Sequence, residues 1–449
     1  MKKISTLLVS VFMVVAAFAV EPVYITPVYE HSIMNGNKPA WMDGVSERSI
    51  AYYEGKLYVP SVSNGNQIYV INPSSGEKID TIALPAEAVY GGDVEVCGIQ
   101  ITASGKILVA NCVVSSKVDN FKIYSVTPKV GEAGYDVTTV IDWLNPTTET
   151  TPVYRCGDSF AIYGDLTAGS NGYIMTANTN DLSVYRWDIT NGVVAASPVI
   201  FKLLDQFPAQ ALLKDKKIHF GPVIYPVDAT HFILNSARMH PTLYDMSGAI
   251  VNTFNGPAQP GMAGISGLTH FNFKGRSFIV CGSTSHQTAN NPLPLNTFEA
   301  FEINGGEFNF TGASSIAGRL PSAGFGGSAT DSPNGTYLFP MAYNVLDNAV
   351  DFWVMVPNVA LSYYKLTIGA PAAVENAKVD DITVYPVPAT DVVNFSTSMT
   401  SIELYDLAGQ VVRKAQNANQ LTVSGLQGAY IVKAISAQGQ VINKKVTIQ

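Results

Sequence analysis

Ten residues of this chain have the types and positions to do chemistry on a ligand: Trp41, Asp43 and Arg48, then Asp93, Glu95, Arg155 and Asp158, and finally Arg238, His240 and His286. An arginine fork grips a carboxylate through two parallel hydrogen bonds, and an indole stacks on a sugar or aromatic ring, so an acidic glycan or a peptide is the ligand chemistry these types suit. Asp93, Glu95 and Asp158 would supply acid/base groups if one pocket gathered them. Other chemistries find little footing. The six histidines are scattered, and no HExxH, paired-His or DxDxDG spacing occurs, so metal is not expected and no cofactor is implied. Gly264 to Leu268 reads GISGL, the spacing of a nucleophile elbow, but it opens a strand and no helix follows it.

These residues must be positioned by strands. Aromatic and β-branched residues dominate the apolar content, and Gly and Pro are frequent. Helix signals are scarce; the best, LLDQFPAQALLKD, is interrupted by Pro208. Six times a two-residue turn leads into an apolar strand that decays into small polar residues. The turns are Glu54-Gly55, Ser104-Gly105, Asn171-Gly172, Asp228-Ala229, Lys274-Gly275 and Asn334-Gly335. The strands after them read KLYVPSVS, KILVANCVV, YIMTANTN, HFILNSAR, RSFIVCGS and TYLFPMAY. A third strand follows each, from QIYVINP to SYYKLTIG, and usually a fourth, as in EKIDTIALP. The turns are spaced 46 to 67 residues apart, which is too long for a hairpin and right for a four-stranded unit.

Four antiparallel strands at this period predict β-propeller blades over residues 20–370. The sixth unit lacks a fourth strand, and PVYITPVYEHSI near the N-terminus is an orphan strand that would complete it and close the ring. Six blades are expected, with seven as the alternative because the stretch between Phe352 and Ala360 has room for extra strands. In such a ring the loops from second to third strands and from blade to blade share one face, where the ten residues would gather. The first unit, LYVPSVSNGNQIYVINPSSGEKIDTIALP, resembles the YVTN and NHL-like propeller repeat, and the whole region resembles the uncharacterised propeller domains of secreted Bacteroidetes proteins. That likeness implies no active site.

The two ends set the itinerary. Residues 1–19, MKKISTLLVSVFMVVAAFA, carry two lysines, an apolar run and an Ala-x-Ala ending, which predicts a secretory signal cut after Ala19. No later segment is long and apolar enough to cross a bilayer as a helix. After a small-residue and polar linker, 371–381, residues 382–449 alternate in short strands broken by Gly409, Gly425, Gly428 and Gly439, the pattern of a small β-sandwich. VYPVPATDVVNF, IELYDLAGQVV, LQGAYIVKA and GQVINKKVTIQ, in that order, resemble the C-terminal sorting domain of the type IX secretion system. The matching motif residues are Tyr385, Pro386, Pro388, Ala389, Thr390, Asp391, Tyr405, Asp406, Gly409, Gly428 and Tyr430; Val387 departs from the asparagine usual between the prolines. The resemblance implies handling by an outer-membrane translocon and delivery to the cell surface or beyond.

Charge and cysteine content bound the partners. Only 14% of residues are charged, the net charge is -8, and the longest basic run is Lys214-Asp-Lys-Lys, which excludes a nucleic-acid partner. The four cysteines, Cys97, Cys112, Cys156 and Cys281, form no CxxC pair. A two-residue turn at Ser104-Gly105 would set Cys97 directly opposite Cys112, within disulfide range. An exported binding module for a glycan or protein is therefore the expected function; the alternative is a secreted propeller enzyme, a glycan lyase or hydrolase.

Overall fold

The computed structural model describes residues 20–42, 46–131, 133–148, 154–179, 181–203, 218, 221–236, 239–254, 265–283, 296–303, 313–327, 338–369, 383–407, 409–436 and 441–449. The expected signal (1–19), the linker 371–381, most of the weak helix candidate and the Asn334-Gly335 turn lie outside them. The chain divides into two compact units, Met1–Ala372 and Ala373–Gln449. All regular elements among the described residues are strands, and no helix there is long and apolar enough to cross a membrane.

The first unit opens with β1 (Val23–Ser32). The first sheet then runs β2 (Ala51–Tyr53), β3 (Lys56–Ser61), β4 (Gln67–Ile71), β5 (Lys78–Ala83), and the second β6 (Val94–Ile101), β7 (Ile107–Cys112), β8 (Phe121–Pro128), β9 (Tyr135–Trp143). The third holds β10 (Phe160–Tyr163), β11 (Gly172–Ala177) and β12 (Ser183–Thr190), with β13 (Val193–Val194) and β14 (Val199–Lys202) both paired to β12. The fourth is β15 (Val223–Pro226), β16 (His231–Ser236), β17 (Met239–Asp245), β18 (Ile250–Thr253), and the fifth β19 (Ile265–Phe273), β20 (Arg276–Ser283), β21 (Thr297–Ile303), β22 (Ala313–Leu320). The sixth joins β23 (Met341–Val345), β24 (Val350–Val356) and β25 (Ala360–Ile368) to β1, whose Val23 pairs with Ile368 and Ser32 with Ala360.

The middle strands are apolar because both of their faces are covered. Every residue of β7 is buried, as are five of six in β11 and in β16. An apolar cluster fills each gap between consecutive sheets. Ile68 and Val70 meet Val96 and Val109 between the first and second; Leu108 and Phe121 meet Ile174 and Trp187 between the second and third; Met175 meets Phe232 and Leu234 between the third and fourth. Ile233 and Leu243 meet Ile279 and Phe301, and Phe278 and Phe298 meet Phe352 and Tyr364. A sixth cluster, with Trp353 and Tyr363 against Leu57 and Tyr69, joins the sixth sheet back to the first. The first strands follow the same cycle: β2 touches β6, β6 touches β10, and so on through β15 and β19 to β23, which touches β2.

The predicted turns hold at two places and widen at others. Glu54-Gly55 and Lys274-Gly275 both have positive φ at each position, the twist-matched hairpin turn. The β6–β7 loop instead spans 102–106, closed by Thr102 N–H to the Lys106 carbonyl, so Ile101 pairs with Ile107. That moves the register by one residue from the one expected, and an irregularity between Val94 and Gly98 sets Val94 against Cys112. Asn171-Gly172 makes no tight hairpin, because Tyr163 pairs with Tyr173 across the nine residues 164–172. In the sixth unit TYLFPMAY is not the second strand: its end is β23, the first strand, and the second is VDFWVMV, in the stretch that left room for a seventh unit.

The second unit, described by itself, is one hydrogen-bonded sheet of β26 (Val384–Tyr385), β27 (Val392–Tyr405), β28 (Val411–Thr422), β29 (Gly428–Ser436) and β30 (Val441–Ile448), rather than two separately bonded layers. β28 pairs with β27, which also carries β26 and β29, and a parallel bridge from Ala389 to Ile448 ties the start of the unit to its end. Val393, Ile402, Leu404, Val432 and Val446 form its core.

Removing residues 20–32 is expected to leave β25 with an open edge and to lower the thermal midpoint by roughly 10 °C or more, since a whole strand's burial and pairing are lost. Circular dichroism melts with size-exclusion chromatography check it; an unchanged midpoint and a monomeric profile would show that β1 is dispensable.

Candidate functional site

A cavity of about 440 Å³ lies within the first unit, lined by the first strands of all six sheets or the residues beside them. Tyr52, Gln100, Tyr163, Tyr225, Thr269 and Tyr343 each contribute from a different sheet. The tyrosines are held in place. Tyr52 stacks on Trp353 with centroids 4.9 Å apart and Tyr163 on Tyr173 at 5.4 Å. The Tyr225 and Tyr343 hydroxyls lie 2.9 Å apart, and Tyr225 donates to the His270 carbonyl. Burial pushes the Tyr225 phenol well above its ordinary range, so it stays a neutral hydroxyl.

Arg48 and Asp158 also line this cavity, each from the segment that leads into a first strand, β2 and β10 respectively. Arg48 Nη2 lies 3.1 Å from Asp158 Oδ1, and Arg155 adds a two-pronged grip, Nε to Oδ2 at 2.7 Å and Nη2 to Oδ1 at 2.6 Å. The Cys112 thiol approaches Oδ1 at 3.7 Å. Burial alone would raise the Asp158 carboxyl, but the Arg155 hydrogen bonds and the charges of Arg155 and Arg48 outweigh it and hold the group below its ordinary range. Gly157 makes the approach possible: its φ is +92°, and a Cβ there would stand 2.2 Å from the Asn111 carbonyl oxygen.

The other candidates are not part of this cluster. Trp41 is buried, donates its indole N–H to the Gly76 carbonyl at 2.9 Å and meets Tyr69 edge-on, so it offers no stacking face. Asp93 accepts from the Val114 N–H at 2.6 Å, Glu95 accepts from Asn66 Nδ2 at 2.7 Å, and neither lines the cavity. The three acids therefore do not gather there. Asp43, Arg238, His286 and the side chain of His240 lie outside the described residues. GISGL falls at the start of β19, with no helix after it. Among the described residues no cluster of three or more His, Cys, Asp or Glu is placed to hold a metal.

Two features escaped the sequence reading. The tyrosines recur near the end of the first strand in AYY, FAIY, VIYP and MAYNV, a repeat visible once those strands are aligned. Glu47, fully buried, draws Ser46, Ser61 and Ser63 hydroxyls onto Oε1 at 2.9, 2.6 and 3.2 Å; three charged or polar residues just before an apolar strand were its signal.

In the second unit the motif residues shape turns and edges. Asp406 Oδ1 accepts from Gln410 N–H at 2.9 Å while Gly409 takes φ +81°. Ala389 is buried, with its N–H on the Thr447 carbonyl and its own carbonyl accepting from Gln449. Residues 383–449 match the family model described as the secretion system C-terminal sorting domain. The tail is a type IX sorting domain. This sorting domain marks the chain for export across the outer membrane. No curated protein matches the chain. Among solved structures, a DUF4623 family protein from Bacteroides eggerthii aligns with TM-score 0.58 at 15% identity, over 79% of this chain and 78% of its own, a likeness of fold. A luciferin-regenerating enzyme aligns with TM-score 0.40 at 11% identity, over 75% of this chain and 97% of its own.

Asp158→Asn is expected to destabilise the first unit by about 3–5 kcal/mol at neutral pH, because two guanidiniums lose their shared carboxylate. With its folded pKa depressed, the Asp158 contribution is complete above the unfolded value of about 4 and is lost as pH falls through the lower folded value. Urea unfolding from pH 7 down to pH 3 checks this; a variant with the wild-type midpoint at neutral pH would show that the cluster contributes nothing.

Proposed function

We propose that the exported cargo is a six-bladed β-propeller, closed by β1 and occupying residues 20–370 between a cleaved signal (1–19) and a linker (371–381) before the sorting domain, and that it binds a ligand in its central cavity. The cycle of six inter-sheet clusters and the pairing of β1 with β25 support the architecture. The YVTN and NHL-like character of the first unit belongs to the same reading. The cavity carries the functional part: six sheets contribute to one 440 Å³ space, a volume in the range of ligand pockets. Four tyrosines offer faces and hydroxyls of the kind that meet the C–H faces and polar edges of a sugar ring, and Gln100 and Arg48 add donors. A saccharide is the ligand class this lining fits best, with a surface protein or peptide as the other partner class. The type IX translocon is the partner of the sorting domain, and the product is extracellular or attached to the cell surface.

A glycan array with the full-length protein is expected to return specific saccharide binding that falls at least tenfold in Tyr163→Ala and measurably in Tyr343→Phe. A folded protein that binds nothing on the array would overturn the saccharide reading, and release of shortened or unsaturated products would replace the binding module with a lyase or hydrolase. Deleting residues 383–449 is expected to strand the protein in the periplasm; fractionation and immunoblotting check it, and undiminished surface or medium levels would refute dependence on the tail.

A further inference from the structure

We propose that the central cavity takes an anionic saccharide, one that carries a carboxylate or a sulfate ester, with the anionic group at Arg48 and the sugar rings toward the tyrosines; this rests on the saccharide reading of the same cavity. Among the described residues that line it, Arg48 and Asp158 alone are charged. They do not balance, because Asp158 is already claimed from behind. Arg155, which does not line the cavity, grips both carboxylate oxygens at 2.7 and 2.6 Å, whereas Arg48 reaches Oδ1 through one contact at 3.1 Å. Within this cluster two guanidiniums share one carboxylate, which leaves a surplus positive charge at the cavity wall. Glu47, next along the chain, turns Oε1 to the hydroxyls of Ser46, Ser61 and Ser63 and does not line the cavity.

The Arg48 side chain is only 6% exposed, so its charge has given up most of its hydration and an anion that meets it there is well compensated. The chain as a whole is acidic, with a net charge of -8, which makes a positive cavity wall a local feature rather than a general one. The neutral lining leans the same way. Thr269 is buried, and neither its hydroxyl nor that of Tyr163 makes a hydrogen bond to another residue. Tyr52 accepts from the Gly55 N–H at 3.2 Å and from Asn344 Nδ2 at 3.1 Å, which leaves its own O–H to donate. Gln100 has spent Nε2 on the Phe160 carbonyl at 3.1 Å and keeps its oxygen as an acceptor for a sugar hydroxyl. Unspent donors therefore prevail, which suits a ligand rich in acceptor oxygens.

The lining also has two ends. Arg48 and Asp158 precede β2 and β10, while Tyr52 and Tyr163 lie at or near the far ends of those strands, four and five positions further on. At about 3.3 Å per extended residue the charged end and the tyrosine end stand at most roughly 13–17 Å apart. A ligand that touches both is longer than one sugar ring, with its anionic group at one end and a ring among the tyrosines at the other.

The test uses the full-length protein on an array of uronic-acid and sulfated saccharides, each printed beside its methyl-esterified or unsulfated twin, with the best pair then titrated by calorimetry. The anionic member is expected to bind about tenfold or more tighter than its neutral twin, and added salt to weaken the anion while leaving the twin unchanged. The uronic-acid and sulfate arms tell which anionic group the cavity takes. Arg48→Gln is expected to abolish the preference; Asp158 keeps the two-pronged grip of Arg155 there, so the carboxylate stays matched. Tyr163→Ala is expected to weaken both members of the pair alike. Neutral twins that bind as tightly as the anions overturn the proposal and leave the saccharide reading standing, as does a preference that survives Arg48→Gln. A folded protein that binds neither member of any pair removes both. Should Arg48→Gln fail to fold, the comparison of twins on the unaltered protein decides.

Discussion

The first unit rests on a single constraint: strands apolar on both faces must be covered on both faces. A sheet whose middle strand is buried throughout, as β7 is, cannot stand at the end of a stack, because one of its faces would meet water. A linear series of six such sheets would expose two apolar faces; a cyclic one exposes none. The cluster of Trp353 and Tyr363 against Leu57 and Tyr69 is where this demand is met, and the contacts between β23 and β2 follow from it. The cavity follows as well, since six first strands arranged in a cycle leave space between them that their own side chains only partly fill.

That geometry also explains why charge is placed where it is. Segments leading into first strands lie beside a low-dielectric interior, so an ionisable group there must be matched. Asp158 is matched by Arg48 from one sheet's lead-in and by Arg155 from its own, which ties the first and third sheets together across the cavity. Gly157 allows the backbone to carry the carboxylate in, at a φ that a residue with a Cβ would resist.

Much of this was legible in the chain. Glycine turns, apolar second strands and the orphan at the start marked the four-stranded units, and the motifs of the tail marked the sorting domain. What stayed hidden was hidden for physical reasons. Two-residue turns are readable where both positions take positive φ, as at Glu54-Gly55, but Thr102 adds a side-chain and backbone loop that shifts register by one residue. VDFWVMV was passed over because it lacks a glycine turn before it; Leu346 N–H to the Ala349 carbonyl closes that hairpin instead. Arg48, Arg155 and Asp158 were singled out by type, and the structure brings those three together because lead-in segments converge. Trp41 was singled out by type too, yet an indole with an apolar body and one donor is as well served by a core and a carbonyl. The cavity tyrosines needed the first strands aligned against one another, which loop-centred reasoning did not do.

The pairing of Val23 with Ile368 has a temporal side. β1 finds its neighbour only when nearly the last strand of the unit has been made, so among the described residues this contact has almost the largest sequence separation and carries a heavy loop-closure cost. Until then the sixth sheet has a bare edge and the cycle of apolar clusters is interrupted. A molecule truncated anywhere before residue 360 retains β1 with no partner to receive it.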